Sequence, residues 1–309
     1  MIASLFNKSR PINYVLISLL LVVFYFLYLT KDFSWTEYYF TIVQKIGLLL
    51  VLIVSLFLVR FITKRNGLSK DNSYAAFLFF IFLILFPTTL VNINIILANF
   101  FLLLALRRLI SMQSLVTPKE KIFDASFWIF VASLFHFWCI LFLILVFISI
   151  IFHVSRDYRN WLIPFIAFFA VLILFVLAVL IVDRDLLAFV VEKMQISFDF
   201  TYFENVFQNI ALAFFSSVAV LFFATQVLAL QNRPLNMQAS YKKILFTFLL
   251  GVAVYVLSAS KNNSFLIITF FPLSVLGTNF LEGLDNKWVK ESVLGGLVLI
   301  TLIIFFGQL

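Results

Sequence analysis

Charge is scarce in this chain. Asp, Glu, Lys and Arg make up 12% of its 309 residues, against about 25% in soluble domains, and the mean hydropathy is +1.14. A soluble fold could not hide the 64% of residues that are hydrophobic, so most of that surface must meet lipid or neighbouring helices. Cysteine is nearly absent. The lone Cys139 excludes an intrachain disulfide frame and a Cys-based metal site, and its apolar setting suits packing. The only histidines are His136 and His153, expected at opposite membrane faces. Two histidines so placed exclude a His-rich di-iron site or a shared haem, and with them a desaturase or multi-His iron oxygenase. The sequence carries no Walker loop, Rossmann fingerprint, Ser-His-Asp array or zinc motif, so neither nucleotide nor nucleic-acid binding is expected. Long polar loops are missing too. The longest, 107–121 and 183–205, are too short for a soluble domain, which leaves one integral membrane domain over 1–309.

Apolar stretches near 20 residues read as spanning helices. They lie near 12–30, 41–62, 74–87, 91–107, 122–135, 137–154, 161–182, 206–229, 244–258, 264–281 and 292–308. The expected fold is therefore an all-α, polytopic transmembrane bundle of about eleven spans with its termini on opposite sides. The first span is too long for a signal-peptide core and is expected to be retained. Basic residues orient the bundle. Seventeen of the 22 Lys and Arg fall on one side and five (Lys31, Lys45, Arg184, Lys193, Lys261) on the other, while the 14 acids divide evenly. The positive-inside rule then puts the N-terminus in the cytoplasm and the C-terminus outside. The inner patch of Arg60, Lys64, Arg65, Lys70, Arg107 and Arg108 could hold anionic lipid heads, or serve orientation alone.

Three hairpins, 74–107, 122–154 and 244–281, look alike. Each is expected to open with a helix of about 14 residues, roughly 21 Å long, too short for a core roughly 30 Å thick. Their turns carry Pro87, Thr88, Thr89, Asn92 and Asn94, then His136, then Ser258, Ser260, Lys261, Asn262, Asn263 and Ser264. Polar backbone at such depth is tolerated when protein-buried or lining a wet cavity, so an outward-facing depression is expected at these turns. Thr117-Pro118-Lys119-Glu120 reads as a capping box that starts a helix. Leu186, Leu187, Val190, Val191 and Met194 have the spacing of a short helix lying on the membrane surface.

Few side chains are left to carry chemistry. Asp32 and Glu37 flank Trp35 in the first outer loop beside Lys31, where acids could act as a base or bind a metal, or simply be solvated. Asp183 and Asp185 bracket Arg184 where the seventh span ends; they could hold a divalent cation or cap the surface helix. His136, between Phe135 and Phe137, could shuttle protons or be a hydrogen-bonded turn residue. Lys31, Arg184, Lys261 and Asn262 are the candidate binders of a diphosphate-bearing substrate.

The opening Met1-Ile2-Ala3-Ser4-Leu5-Phe6-Asn7-Lys8-Ser9-Arg10-Pro11-Ile12-Asn13-Tyr14, the stretch from Ile122-Phe123-Asp124-Ala125 to Ser133-Leu134-Phe135, and the run Phe271-Pro272-Leu273-Ser274 resemble a family of multi-pass inner-membrane proteins from Bacteroidota of unknown function. The resemblance implies a Gram-negative inner membrane. Asp32 and Glu37 also occupy the place of the first-loop acids in polytopic GT-C-type glycosyltransferases, which use polyprenyl-phosphate sugars. That likeness implies a periplasm-facing transferase, or a partner of one, acting on a polyprenyl-linked glycan or lipid. The alternative is a non-catalytic membrane subunit of an envelope export, motility or lipid-handling complex, with other membrane subunits as partners.

Overall fold

The computed structural model describes residues 2–31, 35, 38–182, 194–196, 205–259 and 261–309. Among them the chain is all-α: there is no strand, and one isolated antiparallel bridge joins Ile196 to Ser258. The helices are α1 (Ile2–Phe6), α2 (Pro11–Leu29), α3 (Tyr39–Arg65), α4 (Tyr74–Leu85), α5 (Ile93–Ile110), α6 (Pro118–Phe135), α7 (Leu143–His153), α8 (Arg159–Val182), α9 (Val206–Ala229), α10 (Leu235–Leu257), α11 (Ile267–Gly283) and α12 (Lys287–Gln308).

Local chemistry sets many of the boundaries. Pro11 and Pro118 occupy first-turn positions, where the missing N–H costs nothing. Asn205 and Asn286 cap α9 and α12 by accepting from the amides of Phe207 (2.8 Å) and Trp288 (2.9 Å). Thr117 does not cap α6 as the box pattern predicted. Its backbone is left-handed (φ 44°, ψ 57°) and its side chain makes no capping bond, whereas a capping side chain needs extended backbone.

Among the described residues, eight helical segments are long and apolar enough to cross a membrane by length and composition. They are Pro11–Leu29, Tyr39–Arg65, Ile93–Ser114, Arg159–Ile181, Val206–Asn232, Met237–Leu257, Asn263–Gly283 and Lys287–Gln308. The other three of the eleven expected spans correspond to α4, α6 and α7. α4 is 12 residues long, α7 is 11, and α6 carries Lys119, Glu120, Lys121 and Asp124 in its first two turns. The first hairpin does open with a short helix. The third does not: α10 has 23 residues, because the polar stretch Asn236 to Lys243 continues the helix below the apolar run that marked its start in the sequence.

The described helices form two compact units. The first contains Met1–Ile96, Thr201–Arg233 and Asn262–Leu309. Its centre is α4, all twelve residues of which are buried, against α2, α3, α11 and α12. Lipid is as apolar as these side chains, so close packing rather than water exclusion holds them. Phe82, Phe86, Phe215 and Phe270 form a ring cluster with centroids 5.3–5.9 Å apart. Small residues let the helices approach: a Cβ on Gly277 would lie 2.5 Å from Phe222 and 2.8 Å from Leu78.

The second unit contains Leu97–Phe200 and Pro234–Lys261. α6 packs along α8 through Phe130, Ala167 and Val171. Phe101 of α5 stacks on Trp128 and Phe135 of α6, at 5.5 and 5.6 Å. The carboxyl end of α5 is held by lysines. Lys243, 0% exposed, donates to the carbonyl oxygens of Leu109 (2.5 Å) and Ile110 (3.5 Å). Lys121 donates to Ser111 O (2.8 Å) and Ser114 Oγ (2.7 Å). Ammonium groups suit this end because the last carbonyls of a helix lack intrahelical partners and carry partial negative charge.

Candidate functional site

All three hairpin turns close through a short 3₁₀ segment: Pro87–Leu90, Phe137–Phe142 and Asn263–Leu266. The residue before each leaves helical geometry, with φ, ψ of −122°, 75° at Phe86, −140°, 105° at His136 and −130°, 141° at Asn262. Tighter 3₁₀ winding then restarts the chain and leaves polar side chains to satisfy the freed backbone groups.

In the first unit the first and third turns meet. Asn92 Nδ2 donates to Ser264 Oγ at 3.1 Å, and Asn262 Oδ1 accepts the Ser264 amide at 3.1 Å. Asn263 Nδ2 donates to Gln208 O at 3.1 Å, while its Oδ1 and the hydroxyl of Thr88 are buried with no hydrogen-bond partner. Lys31 donates to Gln308 O at 2.8 Å, a cation at the carboxyl end of α12.

In the second unit His136 and Ser258 meet, 122 residues apart in sequence: Nε2 lies 2.9 Å from Oγ. Ser258 is 1% exposed, and its hydroxyl donates to Val254 O at 2.6 Å. A hydroxyl has one proton. With that proton on Val254, Ser258 is left to accept from Nε2–H. Ser258 therefore orients the imidazole rather than serving as an activated nucleophile. At the opposite end of this unit Lys119 pairs with Asp157 at 3.1 Å and Arg108 with Asp124 at 2.7 Å. The Arg159 amide, followed by the Lys119 ammonium, holds the Asp157 carboxyl below the usual carboxylate range.

Of the residues singled out from sequence, the structure describes Lys31 and Asn262 in the first unit and His136 and Lys261 in the second. Lys31 is exposed, Lys261 half-buried and Asn262 exposed. Asp32, Glu37, Asp183, Arg184, Asp185 and Ser260 lie outside the described residues, as does the expected surface helix except for Met194. Among the described residues no group of three His, Cys, Asp or Glu is placed to hold a metal ion. Ser258 was visible in the sequence as a turn residue, but its role as the partner of His136 was not.

These features define an all-α membrane protein whose helices pack around buried aromatic side chains. The chain belongs to the family described as "Family of unknown function (DUF6427)", whose model matches residues 3–309. No curated protein and no solved structure matches it.

Proposed function

We propose that the protein is an inner-membrane transferase acting on a polyprenyl-linked glycan or lipid, with His136 as its proton acceptor. The observation that carries this reading is the His136–Ser258 hydrogen bond of 2.9 Å at a hairpin turn. The bond holds the imidazole in place at the turn, and a general base must be held in position. In the proposed step an acceptor hydroxyl attacks the anomeric carbon of the lipid-linked sugar. The carbon–oxygen bond to phosphate breaks, its electron pair leaves with the polyprenyl phosphate, and the hydroxyl proton passes to His136. Lys261 and Arg184 would hold the phosphate, and Asp183 and Asp185 a divalent cation or the acceptor. Asp32 and Glu37 are the alternative bases.

Complementation of a deletion strain tests the reading, with protein levels matched by immunoblot. His136→Ala is expected to lower activity by roughly 10²–10⁴-fold, the usual contribution of a general base. Ser258→Ala is expected to lower it less and to shift its pH profile, as a positioning residue would. Single alanine variants at Asp32, Glu37, Asp183 and Asp185 run beside them. Full complementation by His136→Ala and all four acid variants would sink the catalytic reading in favour of a non-catalytic subunit.

A further inference from the structure

α1, in the first unit, is five residues long, and a helix that short does not hold together unaided. Most of its backbone groups have no partner within the helix itself. They find partners on three other elements of the unit. Glu291, in the second turn of α12, accepts the amides of Ala3 (3.0 Å) and Ser4 (3.4 Å). The Tyr74 hydroxyl, at the start of α4, donates to Ala3 O at 2.8 Å. Asn13 of α2 donates to Leu5 O at 2.9 Å, and the Ser73 amide donates to Phe6 O at 2.9 Å.

So placed, α1 covers the first turn of α4. Phe6 stacks on Phe77 with ring centroids 4.1 Å apart, and Ala3, Phe6, Ser73, Tyr74 and Phe77 are all buried. The contacts that dock α1 are also the ones that make it a helix. A segment whose helical bonds and docking bonds are the same set loses both together. Local openings of this kind are cooperative, so α1 has two states rather than a graded range. Of the side chains that hold its backbone, only Glu291 is charged, and a carboxylate binds amides more strongly than a neutral acceptor does.

We infer that α1 is a two-state strap with Glu291 as its catch. Docked, it is helical and clamps the start of α12 to the start of α4. Released, it loses its helix and uncovers Ser73, Tyr74 and Phe77. The strap thereby links the exposure of α4 to the position of α12. A movement that withdraws Glu291 frees α1, and by reciprocity a pull on α1 loosens the start of α12. This device stands apart from the transfer chemistry and does not depend on it.

The test is hydrogen exchange of the full chain in detergent micelles, read by mass spectrometry with residue-resolving fragmentation. The reporter is the Ser73 amide, which Phe6 O holds and Glu291 does not touch. Glu291→Ala is expected to speed exchange at Ser73 roughly tenfold or more, the equivalent of one charged hydrogen bond, together with the amides of α1. Phe6→Ala releases the strap from its other end. It is expected to speed exchange at Ala3 and Ser4 although Glu291 is intact. The amides of α9 between Ala211 and Phe222 are expected to stay protected in both variants. Faster exchange confined to Ala3 and Ser4 in Glu291→Ala, with Ser73 unchanged, would show fraying and overturn the two-state strap. Loss of protection across α9 in both variants would make α1 part of the folding core and overturn it equally.

Discussion

Asp157 shows how one residue ties two helices in this protein. Its carboxylate accepts the Arg159 amide at 3.0 Å, opening α8, and pairs with Lys119 at the start of α6 at 3.1 Å. Both contacts favour the ionised form, so the folded carboxyl titrates below its unfolded value. A depressed carboxylate contributes stability above its unfolded pKa and loses it as pH falls through the folded one. Wild type is therefore expected to melt above Asp157→Ala at neutral pH, with the gap closing on acidification through and below the ordinary carboxylate range. Paired thermal melts in detergent across pH check this; a gap independent of pH would count against the charge account. At this scale the sequence was partly legible. His136 stood out as a titratable residue in an apolar turn, but its partner Ser258 is set by packing between the Phe137–Phe142 turn and α10. Thr117 had the right neighbours for a cap, yet its left-handed backbone turns the hydroxyl away from the amides it would have served.

At the scale of helices, approach distance decides. Gly277 lies where a methyl group would meet both Phe222 and Leu78, whereas Gly295 and Gly296 on α12 have nothing within 4 Å of the same position. Gly277→Ala is expected to destabilise by about 1–3 kcal/mol through overpacking. Gly296→Ala is expected to be neutral or to stabilise by up to about 1 kcal/mol, because alanine is the better helix former. Denaturant or thermal unfolding of both variants separates the effects, and equal losses at both sites would remove the packing explanation. Several helix limits were legible because proline and hydropathy agree: the span read as 12–30 is Pro11–Leu29. The start of α10 was not, since hydropathy falls at Lys242 and Lys243 while the helix continues. A lysine inside a helix looks like a span end until the carbonyls it serves, those of Leu109 and Ile110, are known from the fold.

For the whole molecule, the unequal division of basic residues makes a topological expectation. In a Cys139→Ser background, a cysteine at Tyr38 (68% exposed) should react with an impermeant maleimide from outside the cell. One at Leu235 (85% exposed) should react only once the membrane is opened. The reverse pattern would invert the orientation. Cys139 itself is buried, so the background substitution guards against partial unfolding rather than native labelling. Membrane class and helical architecture were legible because composition alone carries them.

The sheathing of α4 has a consequence for the order of biosynthesis. Two of the helices that cover it, α2 and α3, precede it in the chain, but α11 and α12 come last. At about 5–20 residues per second, roughly 10–40 s separate the synthesis of Leu85 from that of Ile267. Throughout that interval a 12-residue helix, too short to cross the bilayer alone, waits without two of the helices that bury it. A nascent chain stalled before α11 would thus present that bare flank to whatever oversees membrane insertion, giving quality control a natural checkpoint at the final hairpin.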